Sequence, residues 1–308
     1  MSLDLQALFA SASLGDVLSS TPLGAGLSGA TTLAVTTTVA SFIVKHMAHD
    51  ESAFRRTIAF QRLAADAGVA PPLVYVDATR FVAVTPKIEG GPLFSALASP
   101  EVRSRAFGDL AARLRVLHAL PIPADFEHHD GPAFALAIWR AQSSRPGFPA
   151  WALGLGAEAE NAAALLANDE RLVLGHGDLH PANVVWDGAR TWLVDWERCS
   201  PAHPYMDLAT LATFAMLPDE AALALLAMQE GTAIDATERG RFQAARARAR
   251  IIYGAVFLRL VPDLCAVEIG AREEAATLAE CYARMRAGEL VLGTPAGHAA
   301  VGVALLKG

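Results

Sequence analysis

The stretch that most restricts what this chain can become is Leu174 to Glu197, LGHGDLHPANVVWDGARTWLVDWE. Two apolar runs, VVW and WLVDW, are joined through Asp187 and Gly188, a pair whose backbone preferences suit a tight β-hairpin turn. A hairpin returns the chain to the place where it began. It therefore brings the loop carrying Asp178 and Asn183 near the end of the second strand, which carries Asp195. Three oxygen-bearing side chains are expected to converge.

Convergence of this kind suits phosphoryl transfer. That chemistry needs one carboxylate to orient an attacking hydroxyl and accept its proton, and hard oxygen ligands to hold Mg²⁺ against nucleotide phosphates. Asp178 is the candidate catalytic base, and Asn183 and Asp195 are the candidate metal ligands. The D-x-x-x-x-N spacing of Asp178 and Asn183, with a second Asp on a nearby strand, is that of the kinase catalytic loop.

Bulk properties narrow the class. At 308 residues, 53% hydrophobic and 19% charged, the chain can bury a large core without staples. Its three cysteines, Cys199, Cys265 and Cys281, form no ligand or disulfide pattern, and a reducing compartment fits them best. The first residues show no basic, then apolar, secretion signal. The best apolar stretch, Leu208 to Met228, is broken by Pro218, Asp219 and Glu220, so a soluble, cytoplasmic protein without membrane contact is expected. A net charge of −7 disfavours nucleic acid and suits a neutral or cationic small-molecule substrate. Oligomeric state is not legible.

Along the chain, Gly24 to Lys45 reads as a glycine-rich turn followed by a Thr/Val/Ile hairpin. A helix is expected within His46 to Gly68, with Phe54, Ile58, Gln61 and Ala65 on one face, Asp50 or Ser52 as cap and Gly68 as stop. LVYVD and FVAVT then read as paired strands. The Pro/Gly-rich segment Pro86 to Pro92 is the best boundary. Beyond it helices are expected at Pro100 to Leu120, Ala133 to Gln142, Ala157 to Asn168, Asp207 to Met216, Asp219 to Met228, Thr237 to Leu260 and Ala271 to Ala287. The stretch from Gly288 onward carries no readable pattern.

HGDLHPAN together with LVDWE resembles the aminoglycoside phosphotransferase and choline kinase superfamily. The resemblance implies an α+β, two-lobed, protein-kinase-like fold: a small antiparallel β N-lobe with one helix over 1–84, a hinge at 85–91, and a larger, mainly helical C-lobe over 92–308. It implies an ATP- and Mg-dependent small-molecule kinase in which Asp178, Asn183 and Asp195 act as above and His176 and His180 shape the loop. GLSGA resembles the family's nucleotide loop, which assigns Gly26, Ser28 and Gly29 to the phosphates. Lys45, ending SFIVK, would reach the same phosphates, and Ile88 in TPKIEGG would sit against the base. Asp207 reads as a structural hydrogen-bonding residue.

One position departs from the family. Where a helix glutamate normally pairs with the strand lysine, this chain has Thr57, and the nearest acidic residues are Asp50 and Glu51 at the helix start. Either Glu51 substitutes or the pair is missing. The second case would make the chain a nucleotide-binding pseudokinase with a regulatory role. Glu197 is expected either to face a cationic substrate or to be solvated. Of the tryptophans that could box a quaternary ammonium group, Trp186, Trp192 and Trp196 flank the hairpin and read as core.

Overall fold

The computed structural model describes residues 3–23, 30–47, 50–123 and 131–308, with only the backbone of 131–134. They fall into two compact units, Met1–Leu120 with Ala182–Cys199, and Pro121–Pro181 with Ser200–Gly308.

The first unit is built on a five-stranded antiparallel sheet in the order β1-β2-β3-β5-β4: β1 (Val17–Leu23), β2 (Thr31–Thr37), β3 (Ser41–His46), β4 (Tyr75–Asp77) and β5 (Val82–Pro86). Period-two alternation decides its two faces. Val82 and Val84 point to one side with Val35, Phe42 and Val44, where Leu8 and Phe9 of helix α1 (Leu5–Ala12) cover them. Ala83 points to the other, against Phe54 and Ile58 of α2 (Glu51–Asp66). The expected hairpin is β2–β3. Helix α1 and strand β1, which carry no reading above, add a cover and an edge. The edge position of β1 accommodates Pro22, which cannot donate to a ladder.

Helix α2 starts and stops where local chemistry dictates. The Asp50 carboxylate accepts the Ala53 N–H at 2.9 Å. At the other end Gly68 adopts φ +70°, a left-handed conformation that ends the helix cheaply. The buried face is Phe54, Thr57, Ile58, Phe60 and Ala64. Gln61 and Ala65, expected on that face, are half-buried.

Strand β6 (Gly91–Pro92), the short helix α3 (Leu93–Ala96) and α4 (Pro100–His118) complete the first segment of this unit. The later segment returns as a hairpin, whose first strand pairs with β6.

In the second unit α9 (Ala236–Arg259) is the central rod. Around it pack α5 (Gly131–Ser143), α6 (Leu155–Ala167), α7 (Tyr205–Phe214) and α11 (Pro295–Lys307). A two-stranded sheet, β7 (Val173–Gly175) with β10 (Ser200–Ala202), and helices α8 (Asp219–Glu230) and α10 (Leu278–Arg286) complete it. The strands between β7 and β10 in sequence are β8 (Val184–Trp186) and β9 (Thr191–Leu193), the hairpin of the first unit.

Helix α10 begins seven residues later than expected, at a capping box in which Thr277 and Glu280 satisfy each other's backbone N–H groups. Helix α11 escapes periodicity analysis because it is buried nearly all round, from Gly297 to Leu306. It approaches α9 closely where Gly254 faces Gly302: a Cβ on Gly302 would lie 3.0 Å from the Gly254 carbonyl oxygen. Among the described residues no helix is long and apolar enough to cross a membrane.

Candidate functional site

The residues singled out by their chemistry divide between the two units. In the first, the hairpin closes as expected: the Asp187 Oδ1 accepts the N–H groups of Ala189 and Arg190, and Gly188 takes φ +98°. Its mouth joins Asn183 to the residue before Asp195, because the Val194 N–H donates to the Asn183 carbonyl at 3.0 Å. The hairpin is anchored by α4, whose Asp109 Oδ2 accepts both the Thr191 N–H (2.6 Å) and hydroxyl (2.7 Å). The Leu193 N–H reaches the Val69 carbonyl, so the end of β9 is tied to the turn after α2.

Asp195 itself sits at φ 69°, a left-handed backbone that is uncommon outside glycine and that Asp tolerates better than most residues. It turns the chain into a single 3₁₀ turn, Trp196–Arg198, whose Trp196 is buried and donates from Nε1 to the Leu193 carbonyl. The Lys45 ammonium meets Asp195 Oδ1 at 2.5 Å and Glu197 Oε1 at 2.8 Å. The second contact lies outside hydrogen-bond angles and is an ion pair. Burial works against the Lys45 charge, but the two carboxylates outweigh it and hold the ammonium above its usual pKa.

Glu51 does not substitute for the family's helix glutamate: it is exposed and paired with Arg55. Thr57 is buried, with its hydroxyl donated to the Ala53 carbonyl of its own helix. Glu197 is neither solvated nor free to face a substrate, being only 13% exposed and turned to Lys45.

In the second unit, β7 leads into the loop that carries Asp178. Buried Asp207, near the start of α7, accepts the His176 N–H on one oxygen and the Gly177 N–H on the other, both at 2.9 Å. Its structural role was legible; its partners were not. Gly177 at φ +79° then turns the chain so that Asp178 is only partly covered. Asp178 Oδ1 accepts the Tyr253 hydroxyl at 2.7 Å, and His180 Nε2 stands 3.9 Å from Oδ2. The Tyr253 ring packs edge-on against Phe214, which also meets His180. Tyr253, in a run of α9 with no motif, had no sequence signal.

Asp207 depends in turn on the bend between β10 and α7. There His203 Nδ1 accepts the Tyr205 N–H, and Nε2 lies 3.3 Å from Asp169. Burial, only partly offset by Asp169, pushes the His203 pKa down to about 4. The folded state therefore prefers neutral His203, with its proton on Nε2. Since the unfolded chain binds that proton first, stability is intact above pH ~6.5 and declines by about 2 to 3 kcal/mol as the pH falls toward 4. Urea midpoints at pH 7.5 and 4.5 should show this loss, and His203→Gln should flatten it; equal slopes in both proteins would reject the assignment.

Of the sequence candidates, Lys45, Asn183 and Asp195 are gathered in the first unit, where Ile88 is half-buried just past the β3–β5 ladder. Asp178 stands in the second unit, five residues before Asn183 in the chain. Gly26, Ser28 and Gly29 lie outside the described residues. Among the described residues no three His, Cys, Asp or Glu side chains gather as a metal cage. Asn183 and Asp195 nonetheless fit Mg²⁺, which is held by one or two protein oxygens plus phosphates and water.

A family model described as the phosphotransferase enzyme family (APH) matches residues 19–244. No curated protein matches the sequence significantly. Among solved structures, a choline/ethanolamine kinase family protein from Mesorhizobium loti aligns with TM-score 0.66 and 22% identity over 94% of this chain and 92% of its own. Choline kinase LicA from Streptococcus pneumoniae gives 0.65 and 18% over 97% of each chain. The aminoglycoside phosphotransferase APH(3'')-Id from Streptomyces rimosus gives 0.55 and 23% over 80% and 99%. The shared fold is the two-lobed, kinase-like α+β fold.

Proposed function

Because the chain belongs to the phosphotransferase enzyme family, we propose that it moves the γ-phosphoryl group of ATP to a hydroxyl of a small molecule of the choline, aminoglycoside or amino-sugar kind. The observation that most supports this reading is the Tyr253–Asp178 hydrogen bond: a partly exposed carboxylate on an anchored loop already receives a hydroxyl donor.

In the proposed reaction Asp178 accepts a hydrogen bond from the substrate hydroxyl, aims its oxygen at the γ-phosphorus and takes its proton as the new O–P bond forms. The bond to the β-phosphate breaks and ADP leaves with that electron pair. Asp207 keeps the Asp178 loop in place through the two N–H groups before it. Lys45 lends its charge to the phosphates. The resemblance assigns Gly26, Ser28 and Gly29 to the same phosphates and Ile88 to the base. Asn183 and Asp195 would hold Mg²⁺, which neutralises phosphate charge when bound.

Two features favour a cationic acceptor: the net charge of −7 and the Tyr253 and Phe214 rings beside Asp178. Structures of LicA with AMP and of the S. rimosus enzyme with ADP and streptomycin support nucleotide use in the same fold. A cytoplasmic setting follows from this choice of ATP.

The test is magnesium-dependent ADP release across choline, ethanolamine, aminoglycosides and free sugars, with Asp178→Ala as control. Turnover with one class, lost in the variant, is expected. Silence throughout, without any rise in melting temperature on adding Mg-ATP, would overturn the reading.

A further inference from the structure

We infer that Glu197 is the resident positioning partner of Lys45, the part played in related kinases by a helix glutamate that this chain has replaced with Thr57. The inference rests on the nucleotide-binding reading of Lys45. Three observations carry it. The carboxylates at the start of α2 are engaged elsewhere, Asp50 on the Ala53 N–H and Glu51 on Arg55, and Thr57 spends its hydroxyl on its own helix. Glu197 is the more buried of the two acids on Lys45, 13% exposed against 41% for Asp195, and so keeps its geometry more tightly. Its carrier is rigid: the Trp196–Arg198 turn packs against α2, with Trp196 fully buried and the turn closed by the Cys199 N–H on the Trp196 carbonyl.

The arrangement divides labour between the two carboxylates. Asp195, more exposed, is the one suited to turn toward a cation in the nucleotide site. Glu197 then holds the ammonium that Asp195 releases. A single turn thus sets both the lysine and the metal-facing aspartate, so α2 need not swing in with an acid to complete the site. A direct ligand role for Glu197 toward magnesium is the alternative that the experiment separates.

Two measurements test this. First, Lys45 acylation by a succinimidyl ester is followed by peptide mass spectrometry in wild type and Glu197→Gln, with exposed Lys87 as internal reference. Lys45 should label severalfold faster in the variant while Lys87 is unchanged; an unchanged Lys45 rate overturns the inference. Second, kcat/KM for ATP should fall about tenfold in Glu197→Gln, as expected for losing one charge-assisted contact, and recover partly in Glu197→Asp. In a Lys45→Ala background Glu197→Gln should have no further effect. Multiplying effects, or a variant whose only defect is a higher magnesium requirement, would overturn it in favour of a ligand role. If wild type neither binds nucleotide nor turns over, the phosphotransferase reading falls, and the labelling result still judges the Lys45–Glu197 pair by itself.

Discussion

Asp178→Asn should lower kcat by about a thousandfold, within the range contributed by a positioned general base, while nucleotide affinity and melting temperature stay near wild type. Asparagine is isosteric and can still accept the Tyr253 hydroxyl, so the loop should keep its shape. What disappears is the ability to take a proton from the acceptor. The split is diagnostic: a purely structural Asp178 would show its loss in the melting curve, and a bystander would show it nowhere. Isothermal titration with ADP and steady-state kinetics with the best acceptor measure both sides. Retention of more than a tenth of wild-type kcat would remove Asp178 from the chemistry.

Asp207→Ala should have the largest effect on stability. A carboxylate that is 3% exposed accepts two backbone N–H groups, and the substitution leaves the buried His176 donor and the part-buried Gly177 donor without it. At about 1.5 to 3 kcal/mol for each hydrogen bond to a charged group, the loss of two is about 3 to 6 kcal/mol at most. That corresponds to a melting temperature about 5 to 9 °C lower in a chain of this size. Because the orphaned donors belong to His176 and Gly177, directly before Asp178, kcat should fall even at temperatures where the variant remains folded. Asp207→Asn, which retains one acceptor, should be intermediate. A variant that melts like wild type would show that water or a neighbour replaces the carboxylate.

What the sequence by itself determined is what short-range chemistry enforces. Asp50 caps α2 and Gly68 ends it because an oxygen acceptor and a residue without Cβ are needed at those places and stand there in the sequence. Asp187 and Gly188 close the hairpin for similar reasons, and the hairpin alone brings Asn183 beside the residue before Asp195. The spacing of Asp178 and Asn183 is likewise local. Tertiary structure alone decided the rest. Lys45 finds Glu197 more than 150 residues away, and Tyr253 comes to Asp178 from a helix whose sequence carries no motif. Neither pairing leaves a periodic or compositional trace, because each depends on which surfaces meet after burial. Helix α11 was unreadable for the complementary reason: packed on nearly every side, it has no polar face, and amphipathic periodicity exists only where one face meets water.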